Sequence, residues 1–276
     1  MTKLAPVPIA RFAAMSVMNG FDTMLRFGWV PILISTLAGM VLEPKVMTVM
    51  PEDGEIVIEF GWMFVFVLVA VVTQAIFAVA WHRCVALGEA RPGQRFYLRF
   101  GRREAVYGLV AFVVVAILSM GVGALPMVAQ LMSSGQALAG LFVFGAPVMA
   151  LFLLARLCLL LPMVAIAGAA DPAKSWLAVG GNTWRVVAVL VLVGIPVLVV
   201  ELVLISVFGS VIDAAVTSMG TLGLVVSFLA RFVSGLVFLA LLGVIVSALT
   251  LLYMVLLGDE TLRARLPAPY DSFIGP

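Results

Sequence analysis

Long apolar runs alternate with short charged islands along almost the whole chain. Six of these runs, of about 17 to 23 residues, carry almost no charge, and each is long enough to cross a ~30 Å hydrocarbon core as a helix. The predicted spans are about 25–41, 60–81, 105–127, 138–156, 186–208 and 236–257. The last comes from a 37-residue apolar region, Leu222 to Gly258, which as one helix would be ~55 Å long. Divided near Ser234-Gly235, it becomes a surface-lying piece carrying Arg231 and a sixth span. One long, strongly tilted helix is the competing reading.

Two further stretches have the pattern of interfacial helices. Over Ile9 to Arg26, with the surface helix itself about 9–24, Arg11, Asn19, Asp22 and Arg26 fall within about 80° of one another at ~100° per residue, and Ile9, Phe12, Val17, Phe21 and Met24 lie mostly elsewhere. Such a helix lies in the interface with its apolar side in lipid or against the bundle. In 173–184, Asp171-Pro172 reads as an N-cap followed by proline at the first helical position, and the helix feeds the fifth span. Before it, Leu157 to Ala170 is expected to lie along or dip into the inner leaflet, with Pro162 breaking the helix. Asn19-Gly20 and Gly181-Asn182 recur where each surface helix meets its span, which suggests a duplicated unit.

Composition agrees: 64% of residues are hydrophobic and 11% charged, with a mean hydropathy of +1.24, more apolar surface than a water-soluble packing can hide. The expected fold is an all-α, polytopic membrane helical bundle, a single integral membrane domain over 1–276. Six spans put both termini on one side. Of the 16 lysines and arginines only Lys45 and Arg231 then fall on the other, which places both termini in the cytoplasm of a bacterial-type inner membrane. Trp29, Trp81, Trp176 and Trp184 would sit at the inner interface and Trp62 at the outer one. Pro6, Pro8 and Arg11 interrupt any signal-peptide core, so no cleavable leader is expected. Cys84 and Cys158 fall near cytoplasmic helix ends and read as reduced structural thiols.

Candidate chemistry is sparse. The basic loop 82–104, with Arg83 just inside it, carries Arg91, Arg95, Arg99, Arg102 and Arg103 against two glutamates, interleaved with Phe96, Tyr97 and Phe100. It reads either as a topology signal or as a contact for anionic headgroups or an acidic partner. His82 is the only histidine, so a dyad or a histidine metal site lacks its partners, and an interfacial hydrogen-bonding role is expected. Glu201 lies 16 residues beyond Arg185, ~24 Å from the inner face, deep in apolar surroundings. Its expected partner is Arg231, joined to it across the outer turn between the last two spans. Arg156, inside an apolar run, is the third intramembrane polar candidate.

The string Arg156-Leu157 through Leu161-Pro162, Ser175-Trp176 and Gly181-Asn182-Thr183-Trp184-Arg185, with an interfacial helix before the first and fifth spans, resembles a broad group of uncharacterised bacterial six-span inner-membrane proteins. That group resembles the membrane domain fused to glycerophosphoryl diester phosphodiesterases; the string Trp81-His82-Arg83 with Gly88-Glu89 is similar to a feature of its proteobacterial members. The resemblance implies an inner-membrane helical bundle without the catalytic domain, whose barrel would need on the order of 250 further residues. The leading expectation is a non-enzymatic scaffold or anionic-lipid-interacting subunit; the alternative is a transporter or permease component, and a lipid-modifying membrane enzyme is disfavoured. Cofactors: none are expected. Expected partners are membrane lipids, through anionic headgroups at the cytoplasmic face, with a protein partner or homo-oligomer alongside and no nucleic acid. A water-accessible cavity at Glu201 or Gln74 would favour transport, and a dry core the scaffold.

Overall fold

The structure is a computed structural model whose description covers residues 3–49, 56–88, 98–116, 137–218 and 220–275. A two-residue strand, β1 (Lys3–Leu4), precedes helix α1 (Pro6–Asn19). Helices α2 (Phe21–Val46) and α3 (Phe60–Leu87) are connected through the antiparallel strands β2 (Met47–Val49) and β3 (Ile56–Ile58). Helix α4 covers 102–116. Helix α5 (Ala137–Leu157) leads through the short α6 (Leu160–Pro162) into a single π-helical turn, Met163–Ala167. Helix α7 (Pro172–Val179) joins α8 (Thr183–Ser218) through a 3₁₀ turn at Gly180–Asn182, and α9 (Gly220–Leu256) returns antiparallel to it. A last short helix, α10 (Glu260–Arg263), and β4 (Ile274–Gly275) complete the chain.

Among the described residues five helical segments are long and apolar enough to cross a membrane: Phe21–Glu43, Phe60–Leu87, Val148–Ala167, Pro172–Ile212 and Gly220–Leu256. The protein is an all-α, multi-pass membrane bundle. Of the expected third span, 105–116 falls in α4 and 117–127 lies outside the described residues.

Local chemistry sets the helix ends. The Asp171 carboxylate accepts from the Lys174 N–H at 2.9 Å and Pro172 opens α7, as the sequence predicts. Helix α3 stops at Gly88, whose φ of 64° an L side chain resists and whose N–H returns to the Cys84 carbonyl at 3.0 Å.

Helix α9 is the mast of the bundle. It packs against α1, α2, α3 and α8, and the run from Val246 to Val255, with Leu251, Leu252 and Met254, is buried. It is one continuous helix of 37 residues, so the expected division at Ser234-Gly235 does not occur. The glycine serves close approach instead: a Cβ there would meet Ile32 Cγ2 of α2 at 2.7 Å, and one at Gly28 of α2 would overlap Leu239. With α8 at 36 residues, both helices of the α8–α9 pair are nearly twice as long as a ~30 Å core requires.

Three other expectations change. The first surface helix ends at Asn19, and Asp22 and Arg26 form an exposed ion pair (2.6 Å) in the first turns of α2. The buried face of α1 (Ile9, Ala13, Val17) meets α8 and α9, so it is protein that covers it. The segment after Arg156 does not lie on the surface: Cys158, Leu159, Leu160, Pro162, Met163, Val164 and Ala165 are buried, because the Pro162 break turns them in against α3 and α9. Trp81 is no interface anchor either; it is 1% exposed.

Both chain ends meet. Strand β1 pairs antiparallel with β4, Leu4 opposite Ile274, and the Ala5 N–H donates to Phe273 O at 2.8 Å. The Asn182 side chain accepts from the Leu4 N–H at 2.9 Å, and Arg185 donates to the Leu4 carbonyl at 3.1 Å. The Gly-Asn-Thr-Trp-Arg string therefore fastens the termini to the start of α8.

Gly235→Val tests the α2–α9 contact. Overpacking there should cost about 1–3 kcal/mol and lower the thermal midpoint in detergent. Gly194→Val, where a Cβ meets nothing within 4 Å, should leave it nearly unchanged. Equal midpoints for the two variants would contradict the close approach.

Candidate ligand cavity

A cavity of about 550 Å³ opens between α2, α3, α8 and α9 in the half of the bundle away from the chain termini. That volume suits a small molecule. Each helix contributes polar or charged side chains to an otherwise apolar wall. Helix α2 brings Ser35, Thr36 and Glu43; α3 brings Thr73 and Gln74; α8 brings Glu201; α9 brings Arg231 and Ser234. Phe66, Phe77, Phe208 and Phe238 supply the aromatic lining.

The polar groups are ordered by simple hydrogen-bond accounting. Thr73 Oγ1 donates its one proton to the carbonyl of Val69 (2.8 Å) or Ala70 (3.0 Å), so Ser35 donates to Thr73 Oγ1 at 2.8 Å. This ties α2 to α3 at the cavity wall. Arg231 Nη1 lies 2.5 Å from Glu43 Oε2, tying α2 to α9. The expected Glu201–Arg231 pair is thus replaced. Because α9 stays helical through Arg231 and lies close on α2, its guanidinium is delivered to the α2 carboxylate. Glu201 faces the same cavity but makes no ion pair or hydrogen bond with another described residue.

Beneath the cavity, towards the termini, the bundle closes. Phe77 stacks on Trp81 with ring centroids 6.2 Å apart and planes 13° from parallel. The Trp81 indole N–H reaches α9, donating to Ser247 Oγ (2.9 Å) and the Gly243 carbonyl (3.1 Å). His82 is wholly buried rather than interfacial, and hydrogen-bonded on both nitrogens: Nδ1 to Thr250 Oγ1 at 2.7 Å and Nε2 to the Tyr107 hydroxyl at 3.2 Å. Thr250 donates its proton to the Val246 carbonyl at 2.7 Å, so His82 carries its proton on Nδ1 and accepts from Tyr107 on Nε2. One Trp-His dipeptide thereby joins α3, α4 and α9.

The remaining candidates separate into two groups. Arg156 is a structural clamp: its guanidinium lies over the Phe152 (5.2 Å) and Trp176 (4.9 Å) rings and donates to the Trp176 carbonyl at 2.8 Å, holding α7 to α5. On the termini side, Arg99, Arg102 and Arg103 are exposed beside exposed Leu98 and Phe100. Arg83 reaches the Ala165 carbonyl at 3.5 Å. Arg91 and Arg95 lie outside the described residues. Among the described residues no three His, Cys, Asp or Glu side chains gather as metal ligands would.

Sequence reading found Gln74, Glu201 and Arg231 but not Glu43, Ser35 and Thr73, nor the Ser247 and Thr250 acceptors. The available signal was positional: polar residues recur at matching depths in α2, α3 and α9, which run past one another. No family model, no curated protein and no solved structure matches the chain.

A double-mutant cycle of Glu43→Gln and Arg231→Gln, followed by thermal unfolding in detergent, should show a coupling of about 0.5–3 kcal/mol. The cycle with Glu201→Gln in place of Glu43→Gln should show less. The reverse order would contradict the observed pairing.

Proposed function

We propose that the protein is the ligand-binding membrane component of a transporter or permease, with the cavity between α2, α3, α8 and α9 as its binding site. The cavity at Glu201 and Gln74 carries this reading. Glu201, half-buried, and Gln74, exposed, are a carboxylate and an amide on an otherwise apolar wall in the middle of span-length helices, where such groups are costly unless something polar meets them. The stacked Phe77–Trp81 pair and the hydrogen bonds behind it close the other half, as alternating access requires of a binding site open to one side.

The reading carries six spans. The pairing of β1 with β4 favours an even number of crossings, and the five described candidates need one more, which the apolar run 105–127 supplies. Lysine and arginine placement favours both termini in the cytoplasm, so the cavity faces the outer side of a bacterial-type inner membrane. Helices α1 and α7 lie at the inner interface in this arrangement. The resemblance to six-span proteins related to the membrane domain of glycerophosphoryl diester phosphodiesterases agrees with that placement.

A second reading, not exclusive of the first, concerns the inner face. Arg99, Arg102 and Arg103, exposed beside Leu98 and Phe100, form a basic and apolar patch suited to anionic headgroups. In this role the protein is also an anionic-lipid-interacting subunit.

Cysteine accessibility tests the first reading. In a variant with Cys84→Ala and Cys158→Ala, single Gln74→Cys and Ile205→Cys should react with an impermeant thiol reagent added to intact cells. Ala75→Cys, on the buried face, should not, and Ala268→Cys should react only after permeabilisation. An unreactive Gln74→Cys, or one reached only from inside, would sink the reading. For the lipid patch, Arg99→Gln with Arg102→Gln should reduce phosphatidylglycerol or cardiolipin retained in native mass spectra, each basic residue contributing ~1 kcal/mol near a charged leaflet. Unchanged retention would leave these residues a topology signal only.

A further inference from the structure

We infer that the cavity takes a small aromatic or alkyl ammonium cation, with Glu201 as its counter-ion; this rests on the cavity being a binding site. The charges on the wall lead to that class. Arg231 is already matched by Glu43 at 2.5 Å, so the cationic group is neutralised before any ligand arrives. Glu201 is left as a carboxylate lining the cavity without a cationic partner among the described residues. The site as built carries one uncompensated negative charge in apolar surroundings, a situation a bound cation relieves.

The rest of the lining selects the kind of cation. Phe66, Phe77, Phe208 and Phe238 come from three of the four helices and line the same cavity as the polar groups. Phenylalanine rings offer the negative faces that attract organic cations and no oxygen for a metal. A hard metal ion needs on the order of six oxygen ligands, and among the described residues no three His, Cys, Asp or Glu side chains gather to anchor one. An ammonium head meets these conditions with Glu201 on one side, the Gln74 amide as a neutral acceptor and aromatic rings around its apolar body. An anion would have to displace Glu43 from Arg231 and then sit with two carboxylates in its own cavity.

The test uses the full chain in phosphatidylcholine nanodiscs, a lipid of no net charge, and equilibrium dialysis against tritiated benzyltrimethylammonium. Binding should be saturable and should be competed by unlabelled benzyltrimethylammonium but not by benzylsulfonate, a ring of similar size with the opposite charge. Glu201→Gln should weaken it by about tenfold or more, the loss of one charge-assisted contact, and Glu201→Asp should weaken it less. Wild-type affinity in Glu201→Gln would overturn the counter-ion role. Preference for benzylsulfonate would overturn the cation class and make Arg231 the recognising charge. If neither probe binds while Gln74→Cys remains reactive from outside, the cation assignment fails and the cavity reading stands. If Gln74→Cys is also unreactive, the cavity reading fails and the inference with it.

Discussion

The indole of Trp81 and the ring of His82 are buried where the bundle offers no water, and their hydrogen bonds must be met by protein. Helix α9 meets most of them: Ser247, Gly243 and Thr250 lie along one face of it, at the level where α3 passes. Leaving a buried N–H unpaired would cost about 1–3 kcal/mol, so this seam fixes the register of α3 against α9. Tyr107 extends the same network to α4. The chain can therefore close tightly near its termini, where β1, β4, Asn182 and Arg185 make a second fastening.

The other half of the bundle obeys a different balance. Gly28 and Gly235 let α2 and α9 approach, and the Glu43–Arg231 pair joins them further out. Helix α8 contributes Glu201 and Phe208 but, among the described residues, no cross-helix bond to that wall, and space remains between it and the other three. A tight, hydrogen-bonded half near the termini beneath a partly open, charged half is the contrast on which the proposed binding role rests. The shape depends on both helices of the α8–α9 pair being far longer than one crossing, since the cavity occupies their middle.

Much of this architecture was legible from residue pattern, and the failures are instructive. Span-length apolar runs placed α2, α3, α5, α8 and α9, and Asp171-Pro172 placed the start of α7, because hydrophobic length and capping act locally. Gly235 was misread as a break because a glycine missing its side chain for a neighbour's benefit looks, in one dimension, like a glycine needed for a turn. Trp81 was misread as an anchor because tryptophan suits both an interface and a buried hydrogen bond, and only the position of Ser247 decides. Arg231 was identified as a charge in need of a partner, but α2 was closer to it than sequence order implied. The isolation of Glu201 in an apolar run was legible; the cavity beside it required four helices to be placed at once.

Hydroxyl-radical footprinting of the unmodified protein in nanodiscs tests the division into an open and a closed half most directly, since it marks side chains with water at their surface. Phe208 and Phe238, on the cavity wall, should be oxidised, whereas Trp81 and Met254, despite their greater intrinsic reactivity, should be protected. Oxidation of Trp81 at the rate of the cavity phenylalanines, or protection of both groups alike, would contradict the account.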